Sequence, residues 1–242
     1  MELIDLRSEV SDAAERARLC QEFFSAVYIN AFPKPNQTET PDVWLPLLSA
    51  DHSPPSPILH LIVARRRSGS KNSSKVVGGI AIEYFRSSTV AVATYLAVAP
   101  EEQRRGLGRR LLAKAIDKVS ADNGGVRPLI FAEVEKPDSQ LTDSDRQSAR
   151  RRLSTIAALG GRRIDVAYIQ PQLGPNQEAV TDLMLVLLEP EGQRLESVPR
   201  GTMELFLDEF FGSLGQRDSQ EFKFLLKGLP AGHIALKELL SP

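Results

Sequence analysis

The order of patterns across positions 89–121 constrains this chain more than any other feature. Thr89 to Val98 (TVAVATYLAV) is apolar and strand-like, Gln103-Arg104-Arg105-Gly106-Leu107-Gly108 is a basic loop with two glycines, and the residues after it switch to a helical period. Leu107, Leu111, Ala115 and Val119 form one stripe with Leu112 and Ile116 beside it. This predicts a helix over 106–121, stopped by Asn123-Gly124-Gly125. Without a Cβ, Gly106 and Gly108 let the backbone turn tightly and approach a ligand. The loop opens onto a helix N-terminus, where N–H groups lack internal partners and the helix dipole is positive. Arg104, Arg105 and Arg109 add charge, so the expected ligand is a phosphate or pyrophosphate.

Around this centre the periods alternate. A short strand is expected over 2–6, then a helix from Ala13, capped by Ser11 or Asp12, to Ile29, ended by Pro33 and Pro35. A Pro-rich segment, 33–57, holds a short helix near Val43-Trp44-Leu45. Strands over 58–64, 76–85 and 89–98 form an antiparallel meander, the first two joined by the polar loop Arg65 to Lys75. Leu129 to Val134 follows the helix as a strand parallel to its predecessor, because a helical crossover separates them. A helix over 143–159 and strands over 164–169 and 182–188 close the pattern. Beyond Pro190, Met203, Phe206, Leu207, Phe210, Phe211 and Leu214, then Phe222, Leu225, Leu226 and Leu229, predict helices in 200–242.

Composition excludes several classes. With a formal net charge of -1 over 242 residues there is no global field for nucleic acid or an acidic membrane. The single cysteine, Cys20, rules out an intrachain disulfide, and His52, His60 and His233 are too dispersed to suggest a metal site. The N-terminal residues lack the apolar stretch of a signal peptide, and no run of about 18 apolar residues appears. A cytoplasmic location is the expectation.

Two familiar phosphate loops do not fit. The Gly-x-x-x-x-Gly-Lys-Ser/Thr string is absent, and a dinucleotide fingerprint would need glycine where Leu111 stands. The stretch Leu96-Ala97-Val98-Ala99-Pro100, then Gln103-Arg104-Arg105-Gly106-Leu107-Gly108, then Leu111-Leu112, set in this order of strands and helices, resembles the GNAT acetyltransferase superfamily. The resemblance covers residues 1–190. It implies an α+β (three-layer α/β) GNAT-like acyl-CoA N-acyltransferase fold: a mixed, mostly antiparallel sheet flanked by helices, with 191–242 as a C-terminal helical extension. It further implies that acetyl-CoA or another acyl-CoA is the co-substrate, without a metal. The edge of Leu96, Ala97 and Val98 would receive the pantetheine arm. Gln103, Arg104, Arg105, Gly106, Leu107, Gly108 and Arg109 would hold the pyrophosphate. The acceptor would be an amine that attacks the thioester directly, with a backbone amide near Val98 steadying the oxyanion.

The chain departs from the family at the proton-transfer groups. The tyrosine often found four residues before the glycine at 160 is replaced by Ile156 and Ala157, and the strand 89–98 holds no acid. The catalytic candidates are Glu133 and Glu135, on one face of their strand by period two, and Tyr168 in the expected sixth strand. Glu133 lies in an apolar run, a setting that tunes a carboxylate toward base chemistry. Tyr95, Glu83, Tyr84 and Trp44 are further candidates for lining the site, each equally readable as core. Arg150-Arg151-Arg152 and Arg162-Arg163 read either as contacts for the coenzyme A 3′-phosphate or an acidic acceptor, or as solvated faces. The Phe stripes of 203–229 either pack on the sheet or dock a partner. Partners expected are acyl-CoA, an amine acceptor and, as an option, a second copy in a homodimer, with neither nucleic acid nor membrane. Two other functions stay open: a non-catalytic acyl-CoA-binding or partner-docking module, and transfer from a longer acyl-CoA or an acyl carrier protein.

Overall fold

The computed structural model of the chain describes residues 1–49, 53–67, 74–140, 142–189 and 194–240. His52, the tip of the loop from Arg65 to Lys75, and the division between 190 and 191 lie outside the described residues. The chain forms two compact units. One comprises Met1–Ser53, Pro57–Tyr84 and Ala93–Pro128; the other comprises Pro54–Ser56, Phe85–Val92 and Leu129–Pro242.

The first unit opens with β1 (Glu2–Asp5) and α1 (Ala13–Phe23). The Asp12 carboxylate accepts from the Glu15 amide at 2.9 Å, satisfying one of the open donors of α1. α1 widens into a π turn, Phe24–Tyr28, before the single turn α2 (Ile29–Ala31). α3 (Pro41–Ser49) is the short helix expected around Trp44. β2 (Ile58–Arg67) pairs antiparallel with β1 and with β3 (Ser74–Phe85). In β4 (Val90–Val98), which begins one residue late because Thr89 has φ +53°, the Ala93–Val98 portion belongs to this unit. α4 (Leu107–Asp122) buries the predicted stripe of Leu107, Leu111, Leu112, Ala115, Ile116 and Val119. A second apolar cluster gathers Leu19, Phe23, Tyr28, Trp44 and Tyr95.

The second unit takes the start of β4 and pairs it in parallel with β5 (Leu129–Glu135), Val90 opposite Leu129 and Val92 opposite Phe131, as the crossover requires. α5 (Asp143–Ala158) starts at the Thr142 cap. β6 (Gly161–Ile164) corrects the expected strand over 164–169. Gly160, at φ +85°, turns the chain off the helix at once, so the strand begins at Gly161. Val166 and Tyr168 reach the core from an irregular stretch, and their alternation with Ile164 mimics a strand. β7 (Leu183–Leu188), β8 (Ser197–Pro199), α6 (Arg200–Ser213), α7 (Gln220–Gly228) and β9 (His233–Glu238) follow. The expected all-helical tail therefore needs correction as well. It holds the two predicted helices, but β9 pairs with β6 and β8, so its ends are sheet. Only Ile234 is buried in β9, too little to mark a strand by alternation.

The Phe stripes of α6 pack within their own unit. Phe206 meets Phe131 edge-on at 5.2 Å, and Phe210 and Phe211 are buried beside it. Each such ring contributes roughly 1.5–3 kcal/mol by burial. Glu209 on the same helix accepts from the amides of Ser87 and Ser88 at 2.9 and 2.8 Å and so fixes the turn before β4. Hydrogen-bonded neighbours in the sheet run β1-β2-β3-β4-β5-β7-β6-β9-β8, and the described ladders are antiparallel apart from β4 with β5. The result is the mixed, mostly antiparallel, helix-flanked sheet that the sequence implies.

Candidate functional site

The predicted anion loop is built by local means. The Gln103 side-chain amide donates to the Val98 carbonyl at 3.0 Å, pinning the loop to the end of β4. Arg104 adopts φ +61°, and Gly106, at φ +75° and ψ 6°, is the N-cap of α4, with no side chain capping the helix. The left-handed turn is costly for most residues and free for glycine. Leu107 is buried and anchors the first turn, while Gly108 is half-buried. A Cβ placed on Gly108 would meet nothing nearer than Leu96 Cδ2 at 3.8 Å, so the space over this backbone is open to a ligand.

Charge at the loop is unevenly available. Glu102 is buried and ion-paired with Arg66, and Arg105 sits 3.2 Å from its other oxygen, so part of the Arg105 charge is matched. Arg104 and Arg109 are exposed. Along β4, Ala97 is buried while Leu96 and Val98 are half-buried. All ten predicted cofactor residues thus lie in the first unit, on one continuous strand–loop–helix passage.

The predicted catalytic residues separate into two groups in the second unit. Tyr168 donates its hydroxyl to one oxygen of Glu133, and the Gln170 side-chain amide donates to the other at 2.7 Å. Burial raises the Tyr168 phenol well above its ordinary value, and the Glu133 charge and hydrogen bond add to this, so Tyr168 is a fixed donor. The Gln170 carbonyl oxygen is buried without a protein partner. Glu135 does not join this group: it is buried and ion-paired with Arg152, whose pKa burial lowers. Arg162 is likewise taken up, by Glu189 at 2.5 Å, and is buried rather than offered to a phosphate.

Other candidates also find places. The Tyr84 hydroxyl donates to Asn123 at the end of α4, at 2.7 Å, and Glu83 is buried. Trp44 and Tyr95 join a ring cluster with Tyr28: the Tyr28 centroid is 4.9 Å from each, nearly perpendicular to both.

Sequence reasoning missed two groups. The first is Glu39, whose carboxylate accepts the Trp44 indole N–H at 3.0 Å while its own amide donates to the Tyr28 hydroxyl oxygen at 3.0 Å. Burial raises the Glu39 pKa, opposed by the hydrogen bond from Trp44. Its one sequence signal was the lone tryptophan nearby. The second is His60, buried on β2 between Asp5 at 2.8 Å and Asp122 at 2.7 Å. Among the described residues no cluster of His, Cys, Asp and Glu is arranged to hold a metal, and no helix is long and apolar enough to cross a membrane.

Comparison with known proteins adds an independent line. The model of the acetyltransferase (GNAT) family matches residues 22–142, half of the chain. A GNAT-family protein from Bacteroides thetaiotaomicron is similar in structure, with a TM-score of 0.51 and 14% identity, covering 79% of this chain and 89% of that one. Tetrahymena GCN5 gives 0.42 and 17% identity, over 80% and 100%. The diaminobutyrate acetyltransferase EctA of Paenibacillus lautus, solved with L-2,4-diaminobutyric acid and coenzyme A, gives 0.44 and 18%, over 80% and 98%. No curated protein matches the sequence.

Proposed function

Because the chain belongs to the GNAT acetyltransferase family, we propose that it binds acetyl-CoA and transfers the acetyl group to a primary amine by direct attack of nitrogen on the thioester. The observation that carries the cofactor half is the start of α4: a left-handed Gly106, no side-chain cap, and open space over Gly108. Such a terminus offers unpaired amides and a positive dipole to a pyrophosphate, with Arg104 and Arg109 beside it. The backbone of Leu96 to Val98 takes the pantetheine arm as an added strand. Pre-formed amides bind an anion without the reorganisation that water would need.

On the second unit, Glu133 is the proposed proton acceptor during transfer, with Tyr168 and Gln170 as its positioning residues. Glu135, paired with Arg152, is assigned to the fold. Glu133→Gln is expected to lower kcat about a hundredfold, as loss of general base catalysis does. Acetyl-CoA affinity should stay at the wild-type value, and an unchanged kcat would remove Glu133 from the mechanism.

Calorimetric titration with acetyl-CoA, CoA and a longer acyl-CoA tests the reading. We expect acetyl-CoA to bind near micromolar Kd, about -8 kcal/mol. Preference for the longer donor would move the acyl chain length. Binding without turnover of any amine would leave a binding module, and binding of none of the three would overturn the proposal.

A further inference from the structure

We propose that Glu102 is the positioning residue of the pyrophosphate loop, tying the loop to β2 through Arg66 and bracing its left-handed turn through Arg105. The inference rests on the acyl-CoA reading and adds the residue that keeps the loop in its binding shape. Every residue involved belongs to the first unit.

Three observations converge on it. The first is a charge of the wrong sign. A loop that receives an anion carries a buried acid, and by Coulomb's law that acid opposes the ligand. Glu102 is buried, whereas the side chains of Arg66 and Arg105 are 47% and 67% exposed. The carboxylate is therefore a fixed point that holds two long cations, one from β2 and one from the loop itself. The second is the backbone it spans. Arg104 has φ +61°, a conformation that costs a residue with a Cβ and persists where its surroundings over-determine it. The pair of Glu102 with Arg105, at 3.2 Å, bridges this residue, and the Gln103 bond to the Val98 carbonyl holds the same turn from the strand side. The third is the platform below. The register of β2 and β3 shifts between Ala64, opposite Gly78, and Arg65, opposite Val76, so Val77 is the extra residue of a bulge. The Val77 carbonyl accepts from the Ala99 amide at 2.9 Å, and Lys75 pairs with Glu101 at 3.2 Å. A Cβ on Gly78 would stand 3.1 Å from the Ala97 carbonyl oxygen and 3.4 Å from Leu107 Cδ2, so β3 is pressed against both the strand and the helix that flank the loop.

This arrangement also accounts for the run Arg65-Arg66-Arg67. Side chains alternate along a strand, so Arg66 leaves on the opposite face from its neighbours. Arg65 lies 2.9 Å and Arg67 3.8 Å from the Glu2 carboxylate, while Arg66 alone of the three turns to Glu102. A loop held in its binding shape before the ligand arrives loses less freedom when the ligand binds. The sign of the test follows. Glu102→Gln removes one negative charge beside the anion site and leaves Arg66 and Arg105 unmatched. Electrostatics alone would then tighten coenzyme binding, whereas loss of positioning weakens it.

The test is calorimetric titration of the full chain with acetyl-CoA at constant ionic strength, beside a thermal melt of each variant. Glu102→Gln is expected to bind about tenfold more weakly than the wild type, against the change in charge. Glu102→Asp keeps the charge for two flexible arginines to follow, and is expected to stay within about threefold of the wild type. A side chain that merely fills space gives the reverse order, because glutamine matches glutamate in size and aspartate does not. Arg66→Met, on the half-exposed partner, is expected to weaken binding too, and to add less than about twofold once Glu102 is already glutamine. It decides the matter if Glu102→Gln does not fold. Wild-type or tighter binding by a folded Glu102→Gln, weaker binding by Glu102→Asp than by Glu102→Gln, or wild-type binding by Arg66→Met would overturn the proposal. A wild type that binds acetyl-CoA while its variants bind equally sinks the Glu102 assignment alone; a wild type that does not bind it sinks the acyl-CoA reading and this assignment with it.

Discussion

A Gly108→Trp protein is expected to keep its fold and to lose acetyl-CoA affinity by at least about 100-fold, roughly 2.7 kcal/mol. The two halves of this expectation have separate grounds. The fold tolerates a side chain because Gly108 does not need left-handed backbone, and an added Cβ meets only Leu96 Cδ2 at ordinary contact distance. Replacing glycine within a helix also improves propensity, by a few tenths of a kcal/mol for an aromatic residue. The ligand has no such latitude. An indole rising from the first turn of α4 would stand where a pyrophosphate must approach the helix amides. Gly106 is the contrasting position: at φ +75° any other residue is strained, by about 1–2 kcal/mol, so its variants confuse binding with folding. The check is calorimetry alongside a thermal melt. A folded Gly108→Trp protein that binds acetyl-CoA like the wild type would move the pyrophosphate away from this loop.

The ease of reading that loop and the difficulty of reading its neighbours have one cause, sequence distance. The cofactor loop is legible because Leu96 to Arg109 runs as strand, turn and helix in one piece, and each part has a local signal. The meander, the parallel step from β4 to β5 and the stripes of α4 and α6 were legible for the same reason. Patterns that depend on distant partners were not. Alternation at Ile164, Val166 and Tyr168 reads as a strand, but past Ile164 it belongs to an irregular stretch packed into the core. β9 was invisible because its strand character comes from β6 and β8, not from its own residues. Glu133 and Tyr168 were both named, but nothing local says that residues 35 apart would bond, or that Glu135 would turn to Arg152 instead. Glu39 has no period to betray it, since its partners Tyr28 and Trp44 come from the π turn after α1 and from α3.

The His60 arrangement carries the same lesson into stability. Replacing His60 with leucine is expected to cost about 3–5 kcal/mol, the range seen when one partner of a buried charge pair is removed. His60 is 3% exposed and Asp5 is fully buried, separated by 55 positions in sequence. Burial alone would lower the His60 pKa. The hydrogen bonds from Asp122 and Asp5, with their charges, outweigh it and leave the pKa raised above 6.5. Burial would likewise raise Asp5, but the His60 hydrogen bond and charge, the Ser8 hydroxyl and the Arg7 amide hold it below 3.8. The groups facing this cluster are Asp5 on β1, Ser8 after it, and Asp122 and Lys118 on α4, with Lys118 3.8 Å from Asp5 and 2.9 Å from Glu9. Linkage then gives the signs. The folded state holds the His60 proton more tightly than the unfolded chain, so the histidine's contribution is complete below pH 6.5 and is lost as pH rises through its folded pKa. Asp5 behaves oppositely: its contribution is present above pH 3.8 and is lost as pH falls through its depressed folded value. Denaturant unfolding of the wild type across pH should therefore show this pair contributing most between the two windows. In His60→Leu the alkaline loss should disappear, because the proton it reports is gone, while the midpoint falls throughout. A His60→Leu protein with the wild-type midpoint and a parallel pH profile would mean that the two aspartates do not need the imidazolium, and that α4 is held to β1 and β2 by its apolar stripe alone.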